Sequence, residues 1–343
     1  LGRGAPVTAP TESPEAATRR PARPVASVGE VLNRQADDAK AISGARSSAW
    51  NGNVGWLPRA GRREPRSAVG LADWDGTVYF DRDYVLRPLQ ALFEKAGSGE
   101  VPAWELCRAK NALAVVLHEN CHLLATDPAD HAATKDRWNW PLVVLEEGAT
   151  EAFSQAQLNA YVRRLGLDRV APSLAELETE ATYPLFVPAV QVLTQGVGRL
   201  SQQPGSEVLR KLVCEAGGKK FETLGGIVLQ GTGLAARMPE ADRGAATEEI
   251  AGATRDVLGE VAQMGPLLTR EASQNLSRRV GREALRGILV QLEELDQRYP
   301  KAGVPEGMSR AGVLPRGMGR SASGRRHPTI DPDAARSAAG LTR

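Results

Sequence analysis

Apolar residues recur at close to helical spacing along most of the chain. In the segment 268–298, for example, six apolar residues are spaced three to five positions apart, which indicates one packed helix face: Leu276, Val280, Leu285, Ile288, Leu292 and Leu295. Similar patterns predict helices at 27–46, 83–96, 103–125, 142–165, 188–203, 207–216 and 244–264. The apolar and aromatic run Thr77–Phe80, preceded by Gly76, predicts a strand. We therefore expect a mainly α protein with a small β-sheet, an α+β fold class.

The breaks between these segments add further expectations. Residues 126–141 carry few helix signals and are predicted to form a loop. In the helix that follows, Gly148 costs about 1 kcal/mol relative to alanine. This cost is tolerated more readily where the helix backbone packs close to another helix. A further helix is expected at 173–181, with Ser173 as its N-cap.

Composition and charge separate the two ends of the chain from its middle. Residues 1–26 are rich in proline and poor in bulky apolar side chains, and residues 301–343 are rich in glycine, serine and arginine. Both segments are predicted to be disordered, and 27–69 to form a short helix and a loop. The basic tail carries a formal charge of +5 and the first 26 residues +2, within a total of +2. The middle is therefore mildly acidic.

This distribution argues against several classes of function. A mildly acidic body with basic ends does not indicate a specific nucleic-acid binder. No apolar run is long enough for a membrane span, and no Sec-type signal peptide is visible. The default expectation is a cytoplasmic protein, with export by a non-Sec route left open. Three cysteines without close pairs argue against a disulfide framework, and Cys107 and Cys121 are expected to be buried thiols.

The candidate chemistry lies in the segment Leu117–Leu124, which reads L-H-E-N-C-H-L-L within the predicted helix 103–125. Residues four apart lie on one face of a helix, so the imidazoles of His118 and His122 are expected side by side. This spacing suits one tetrahedral zinc ion, and Glu119 is placed to act on a metal-bound water. Because the chain has only four histidines, a chance occurrence of the motif is improbable.

A catalytic zinc site needs a third protein ligand and one open position. The pattern in which a glycine and a histidine or aspartate follow the motif at fixed spacing is excluded, because Ala125 and Pro128 occupy those positions. His131 is a possible ligand, but its place in a predicted loop favours a solvent-exposed or outer-sphere role. The remaining candidates are Glu146 and Glu147, in a predicted helix about 25 residues after the motif.

Taken together, the motif and the segment L-E-E-G-A-T-E (145–151) resemble the gluzincin class of zinc metallopeptidases, over about residues 70–165. By this resemblance Glu147 is the third zinc ligand, and Glu151 accepts a hydrogen bond from the outer nitrogen of a zinc-bound histidine. The resemblance also implies a zincin-like domain at 70–200 followed by a helical region at 201–300. Within that domain, Gly76–Asp81 would be the edge strand that pairs with extended substrate.

The resemblance implies a zinc-dependent peptidase, either an endopeptidase or an aminopeptidase, with a peptide or protein as its substrate. Zinc would activate a water molecule, and Glu119 would act as the general base. A tyrosine, histidine or arginine from a later helix would stabilise the oxyanion, and Tyr183 is the weakly favoured candidate over Tyr161, Arg163 and Arg164. Spacing does not choose between these groups, and the sequence predicts no oligomeric state.

Two alternatives to an active peptidase remain at this stage. One is an interaction or structural protein that retains zinc as a staple, and such a site would favour a fourth protein ligand such as Asp127 or His131. The other is a secreted or phage-associated effector that carries this domain. The presence of Glu119 favours an enzyme over the structural protein, because a structural zinc site needs no general base.

Overall fold

A computed structural model describes residues 23–58, 68–96, 101–179, 183, 185–261 and 269–301. Segments 1–22 and 302–343, which contain most of the ends predicted to be disordered, lie outside these ranges. The helices are α1 (Val28–Ser43), α2 (Arg87–Ala96), α3 (Ala103–His122), α4 (Ala129–Ala133), α5 (Trp140–Arg164), α6 (Leu167–Val170), α7 (Ser173–Glu176), α8 (Val187–Leu200), α9 (Gly205–Val213), α10 (Lys220–Gly231), α11 (Glu240–Leu258) and α12 (Arg270–Arg298). The strands are β1 (Ser47–Ser48), β2 (Val54–Trp56), β3 (Gly70–Ala72), β4 (Val78–Phe80) and β5 (Leu124–Ala125). The expectation of a mainly α fold with a small sheet is confirmed at this level.

Strands β2, β3 and β4 form a three-stranded sheet in the order β2-β4-β3. Strand β4 pairs in parallel with β2 and antiparallel with β3, and it joins β3 through a turn in which Gly76 has a φ of 85°. The prediction that Gly76–Asp81 forms an edge strand is therefore wrong, because β4 is hydrogen-bonded on both sides. Its alternate residues Val78 and Phe80 are fully buried, as expected for a central strand. Within the described residues, β3 forms one edge of this sheet.

Helix α3 lies in the core and is buried almost continuously from Leu106 to His122. It packs against α1, α2 and α5 and alongside β3. The helix ends at His122 rather than at residue 125, because Leu124 and Ala125 leave it as strand β5 and pair with β1. Ser47 Oγ donates to the carbonyl of Ala125 over 2.5 Å, which fixes the chain just after the helix. The two histidines of the motif therefore occupy the last turn of α3.

Helix α5 is the second central element, and it contacts α1, α3, α8, α9 and α11. Asn139 caps its first turn by accepting a hydrogen bond from the backbone N–H of Leu142, over 3.1 Å. At Gly148 the backbone of α5 lies against α8. A β-carbon added there would lie 2.6 Å from Val190 Cγ2 and 3.0 Å from the carbonyl oxygen of Phe186. The expected close approach of a second helix at Gly148 is confirmed.

The helices after residue 187 pack on one another and on α5, and their buried side chains join the same apolar core as α3. None of the helices in the described part of the chain is both long enough and apolar enough to span a bilayer. Two local predictions are wrong. The loop 126–141 contains the short helix α4, and the helix expected at 173–181 ends at Glu176 without a side-chain cap from Ser173.

The contact at Gly148 yields a stability prediction. Gly148→Ala gains helix propensity but forces a methyl group against Val190 and the backbone of Phe186, so we expect a net loss of about 1–2 kcal/mol in the free energy of unfolding. Gly252→Ala in α11 is the matched control, because nothing lies within 4 Å of its added β-carbon. That variant should gain about 0.5–1 kcal/mol. Urea denaturation of both variants measures the two changes, and equal stabilisation by both would refute the close contact.

Candidate metal centre

The last turn of α3 holds the three motif residues in the protein interior. The rings of His118 and His122 lie edge to face, with centroids 4.8 Å apart. His118, Glu119 and His122 are each only 7–8% exposed. Four-residue spacing brings the two imidazoles together, as the sequence predicts, and the packing of α3 against α5 buries them.

Helix α5 crosses this turn with its acidic segment. Glu146, Glu147 and Glu151 are all buried, within a run whose preceding residues Leu142–Leu145 are also buried. Glu147 and Glu151 are four residues apart and therefore lie on one face of α5, whereas Glu146 is turned by about 100° from Glu147. The structure brings Glu147 and Glu151 to His118 and brings Glu146 to His122.

Three ligand atoms converge on one point. His118 Nε2 and His122 Nε2 are 3.1 Å apart, and Glu147 Oε2 lies 3.3 Å from the first and 3.4 Å from the second. Ligand atoms bonded to one tetrahedral zinc at ~2.0–2.1 Å lie roughly 3.3–3.4 Å apart. The triangle therefore has the dimensions of three corners of a zinc tetrahedron. Within the described residues, these three side chains form a group that could hold a metal ion.

The outer nitrogen of each histidine faces a carboxylate. His118 Nδ1 lies 2.9 Å from Glu151 Oε2, and His122 Nδ1 lies 2.8 Å from Glu146 Oε1. An ionised carboxylate can only accept a hydrogen bond, so each Nδ1 carries a proton and donates it. In a neutral ring this tautomer leaves the Nε2 lone pair free to bind a metal. Two lone pairs and the carboxylate of Glu147 then meet at the centre of the triangle, an arrangement that a cation stabilises.

Further contacts hold the two outer carboxylates in place. Gln155 Nε2 donates to Glu151 Oε1 over 3.2 Å, and Thr179 Oγ1 donates to Gln155 Oε1 over 2.5 Å. On the other side, Lys220 Nζ from α10 lies 3.2 Å from Glu146 Oε2. From the sequence alone, Glu146 is only an alternative metal ligand, and Lys220 cannot be recognised as part of the site. The adjacent glutamates in an apolar run signalled burial, but no local pattern linked residue 220 to them.

Burial and charge act in opposite directions on the titration of the site. Burial disfavours the charged imidazolium, but hydrogen bonds to Glu147 and Glu151 outweigh it and raise the pKa of His118 well above 6.5. Burial also disfavours the charged form of His122, but the charge of Glu147 and the hydrogen bond to Glu146 outweigh it and raise the pKa of His122. For Glu146, burial favours the neutral acid, but the charge of Lys220 and the contact with His122 lower the pKa to about 2. Without a metal, the histidines therefore attract protons.

Glu119 lies on the side of α3 that faces strand β3. A β-carbon added to Gly70 would lie 2.4 Å from Glu119 Oε1 and 2.7 Å from Val115 Cγ1. The carboxylate therefore occupies space that any other residue at position 70 would fill. Sequence reasoning missed this role of Gly70, because the two residues are 49 positions apart and the glycine does not belong to a recognisable turn.

The other candidate ligands lie outside the triangle. His131 is buried in α4, with its Nε2 3.0 Å from the carbonyl oxygen of Asp73 and its ring against Trp74. Of the two roles expected for His131, the solvent-exposed one is wrong, because this packing buries its ring, and the outer-sphere role stays a prediction. Asp127 is exposed and accepts a hydrogen bond from the backbone N–H of Ala129. Neither residue belongs to the described metal-binding group.

The cysteines are free thiols. Cys121 is buried within the motif, and burial raises the pKa of its thiol, so it remains protonated at neutral pH. The expectation of a buried thiol is confirmed for Cys121, whereas Cys107 is only partly buried.

Tyr183, the favoured residue for oxyanion stabilisation, contacts a histidine of the motif. Its ring stacks on that of His118, with centroids 5.7 Å apart and an angle of 26° between the planes. Arg164 is engaged elsewhere, because its Nε donates to Asp38 Oδ1 in α1 over 2.7 Å. Tyr161 is fully buried, and burial and the charge of the same Asp38 raise the pKa of its hydroxyl. Arg163 is exposed at the end of α5.

Comparison of the chain with protein-family models, with curated proteins and with solved structures finds no match. The arguments for the function of this site therefore depend on its own residues and geometry.

Zinc should raise the melting temperature more at pH 8 than at pH 6. The raised histidine pKa values stabilise the metal-free fold at low pH, and this contribution is lost as the pH rises through them. Zinc needs both rings neutral, so its affinity should rise by up to about tenfold per pH unit for each proton it displaces. Thermal unfolding of the chelator-treated protein, with and without one equivalent of zinc, measures the difference.

Glu147→Gln removes one ligand and serves as the control, and it should show little zinc-induced shift at either pH. Glu176→Gln, an exposed carboxylate in α7, should behave like the parent protein. A zinc-induced shift that is equal at both pH values, or that survives in Glu147→Gln, would contradict the assigned ligands.

Proposed function

We propose that this chain is a zinc-dependent peptidase with His118, His122 and Glu147 as metal ligands and Glu119 as general base. The observation that carries the proposal is the triangle of ligand atoms with edges of 3.1–3.4 Å, beside which an additional carboxylate lies buried. Three protein ligands leave one position of a tetrahedron for water or substrate, the usual arrangement of catalytic zinc sites.

A bound zinc ion supplies Lewis-acid chemistry, since it lowers the pKa of a water molecule toward ~7 and polarises a carbonyl oxygen. The chain supplies the proton transfers. Glu119 accepts a proton from the attacking water as the new carbon–oxygen bond forms, and it delivers that proton to the amide nitrogen as the carbon–nitrogen bond breaks. Glu146 and Glu151 keep the two histidines in the tautomer that binds metal.

Two further elements support a peptide substrate. Tyr183 stacks on His118, and a hydroxyl at this end of the site could donate a hydrogen bond to the oxyanion. Strand β3 lies beside α3 at the sheet edge within the described residues, and its Gly70 adjoins Glu119. An extended peptide could add to β3 by main-chain hydrogen bonds, which assigns to β3 the substrate-pairing role that the sequence suggested for β4.

The low exposure of all three ligands also suits a structural zinc site. The role of Glu119 separates the two possibilities, because a structural site has no use for a base that does not bind the metal. Glu119 directly follows the ligand His118 in α3 and is only 8% exposed. Its presence favours the peptidase.

Glu119→Gln should bind zinc like the parent protein and lose peptide hydrolysis by about 10²–10⁴-fold, the usual contribution of a general base. The amide has nearly the shape of the carboxylate but cannot accept the proton from water. Cleavage of a fluorescence-quenched peptide library by the zinc-loaded protein is the measurement, with metal analysis alongside.

Glu94→Gln, in the exposed part of α2, is the matched control and should leave cleavage unchanged. A zinc-loaded parent protein that cleaves none of the peptides would favour the structural zinc protein instead. Equal activity of Glu119→Gln and the parent would exclude Glu119 as the base.

Gly70→Ala should reduce hydrolysis by about 10²-fold while zinc affinity stays near that of the parent. The added methyl group displaces the carboxylate of Glu119, and a shift of about 1 Å in a catalytic group can cost this much. Gly244→Ala in α11 is the control, because nothing lies within 4 Å of its added β-carbon. Full activity in Gly70→Ala would show that Glu119 need not occupy this position.

A further inference from the structure

Lys220 is a charged side chain with no exposed surface. It opens α10, and its side chain is 0% exposed. Its Nζ lies 3.2 Å from Glu146 Oε2, and neither atom has a directed hydrogen bond to any described residue. A buried ammonium group is costly unless an opposite charge compensates it, so this ion pair has to be maintained or the site must rearrange.

Glu146 is held at both of its oxygens. Its Oε1 faces His122 Nδ1 at 2.8 Å, and its Oε2 faces Lys220. The turn Gly217–Lys219 closes over the same carboxylate, since a β-carbon added to Gly217 would lie 2.8 Å from Oε2. Glu146 is therefore confined between α3 and α10 and is turned away from the ligand triangle.

We propose that Lys220 is a positioning residue of the metal centre, and this inference rests on the zinc site of the proposed function. Its ammonium group holds Glu146 on the outer nitrogen of His122. This keeps His122 Nε2 directed at the metal and keeps Glu146 from becoming a ligand itself. The fourth coordination position then stays open. The metal centre therefore includes a residue of the helical region 201–300 and is incomplete within residues 70–200 alone.

The direction in which zinc affinity changes when Lys220 is removed separates this role from a general electrostatic effect. A positive charge near the site repels a dication, so if Lys220 acted only through its field, its removal would tighten zinc binding. If Lys220 acts through Glu146, its removal frees a buried carboxylate, and zinc binding weakens. Removal of an outer-shell partner typically lowers metal affinity by about 10–100-fold.

The test uses the full chain and measures zinc affinity by competition with a chromophoric chelator. Lys220→Met removes the charge at similar length, and we expect affinity to fall by about 10–100-fold. Lys219→Met is the matched control, because this neighbouring side chain is 44% exposed and pairs with Asp130 at 3.1 Å. It should bind zinc like the parent.

The double variant Lys220→Met/Glu146→Gln tests whether Lys220 acts through Glu146. The amide oxygen introduced by Glu146→Gln can still accept a hydrogen bond from His122 Nδ1, and neither variant side chain carries an unpaired charge. Most of the zinc affinity lost in Lys220→Met should therefore return. The visible spectrum of the Co²⁺-substituted protein reports ligand number. It should change in Lys220→Met, where Glu146 is free to move, and should resemble the parent spectrum in the double variant.

Each outcome either supports or overturns the proposed role of Lys220. Equal or tighter zinc binding by Lys220→Met overturns the proposal, as does a double variant that binds zinc no better than the single one. If Lys220→Met does not fold, a folded double variant with near-parental affinity and spectrum supports the proposal, and failure of both to fold overturns it. Because these measurements need no substrate, a protein that binds zinc but cleaves no peptide would refute the peptidase and leave the role of Lys220 intact.

Discussion

The buried charge between α3 and α5 is the constraint on which this structure depends. Three glutamates and two histidines are enclosed there, and Glu119 lies on the neighbouring side of α3 that faces β3; each of these residues has at most 8% of its surface exposed. Charged groups in such a place must be paired, bound to metal or neutralised. The pairs Glu151–His118 and Glu146–His122, with Lys220 behind the second, compensate part of this charge. The remaining negative charge surrounds the point where the Nε2 atoms of the two histidines meet Glu147, and a divalent cation there would offset most of it.

The rest of the fold packs around these buried histidines and glutamates and holds them in place. Gly148, the residue after the ligand Glu147, allows α8 to lie close against α5. Helix α10 reaches the opposite side of α5 with Lys220. Strand β3 covers the Glu119 side of α3. The metal ligands come from two helices, but the side chains and backbone that fix them come from elements distributed from residue 70 to residue 220.

Sequence could predict the parts of the site that lie within single helices. The spacing of His118 and His122 determines their proximity through helix geometry alone, and most helix positions follow from apolar periodicity in the same way. The pairing of strands could not be predicted, because three-residue strands carry no signal of which neighbour they join. The burial of His131 and the place of Lys220 depend on contacts between distant segments. Such contacts leave no periodic trace in the sequence.

The position of Gly70 suggests why the site would be arranged for chemistry as well as for stability. A strand lying on α3 could carry any small side chain if it served only to cover the helix. Here the chain uses glycine, and the vacated space is filled by the carboxylate of Glu119. A structural zinc site has no need of a carboxylate that binds no metal. Glycine at residue 70 is understandable if the carboxylate of Glu119 must keep this place to meet a substrate lying along β3.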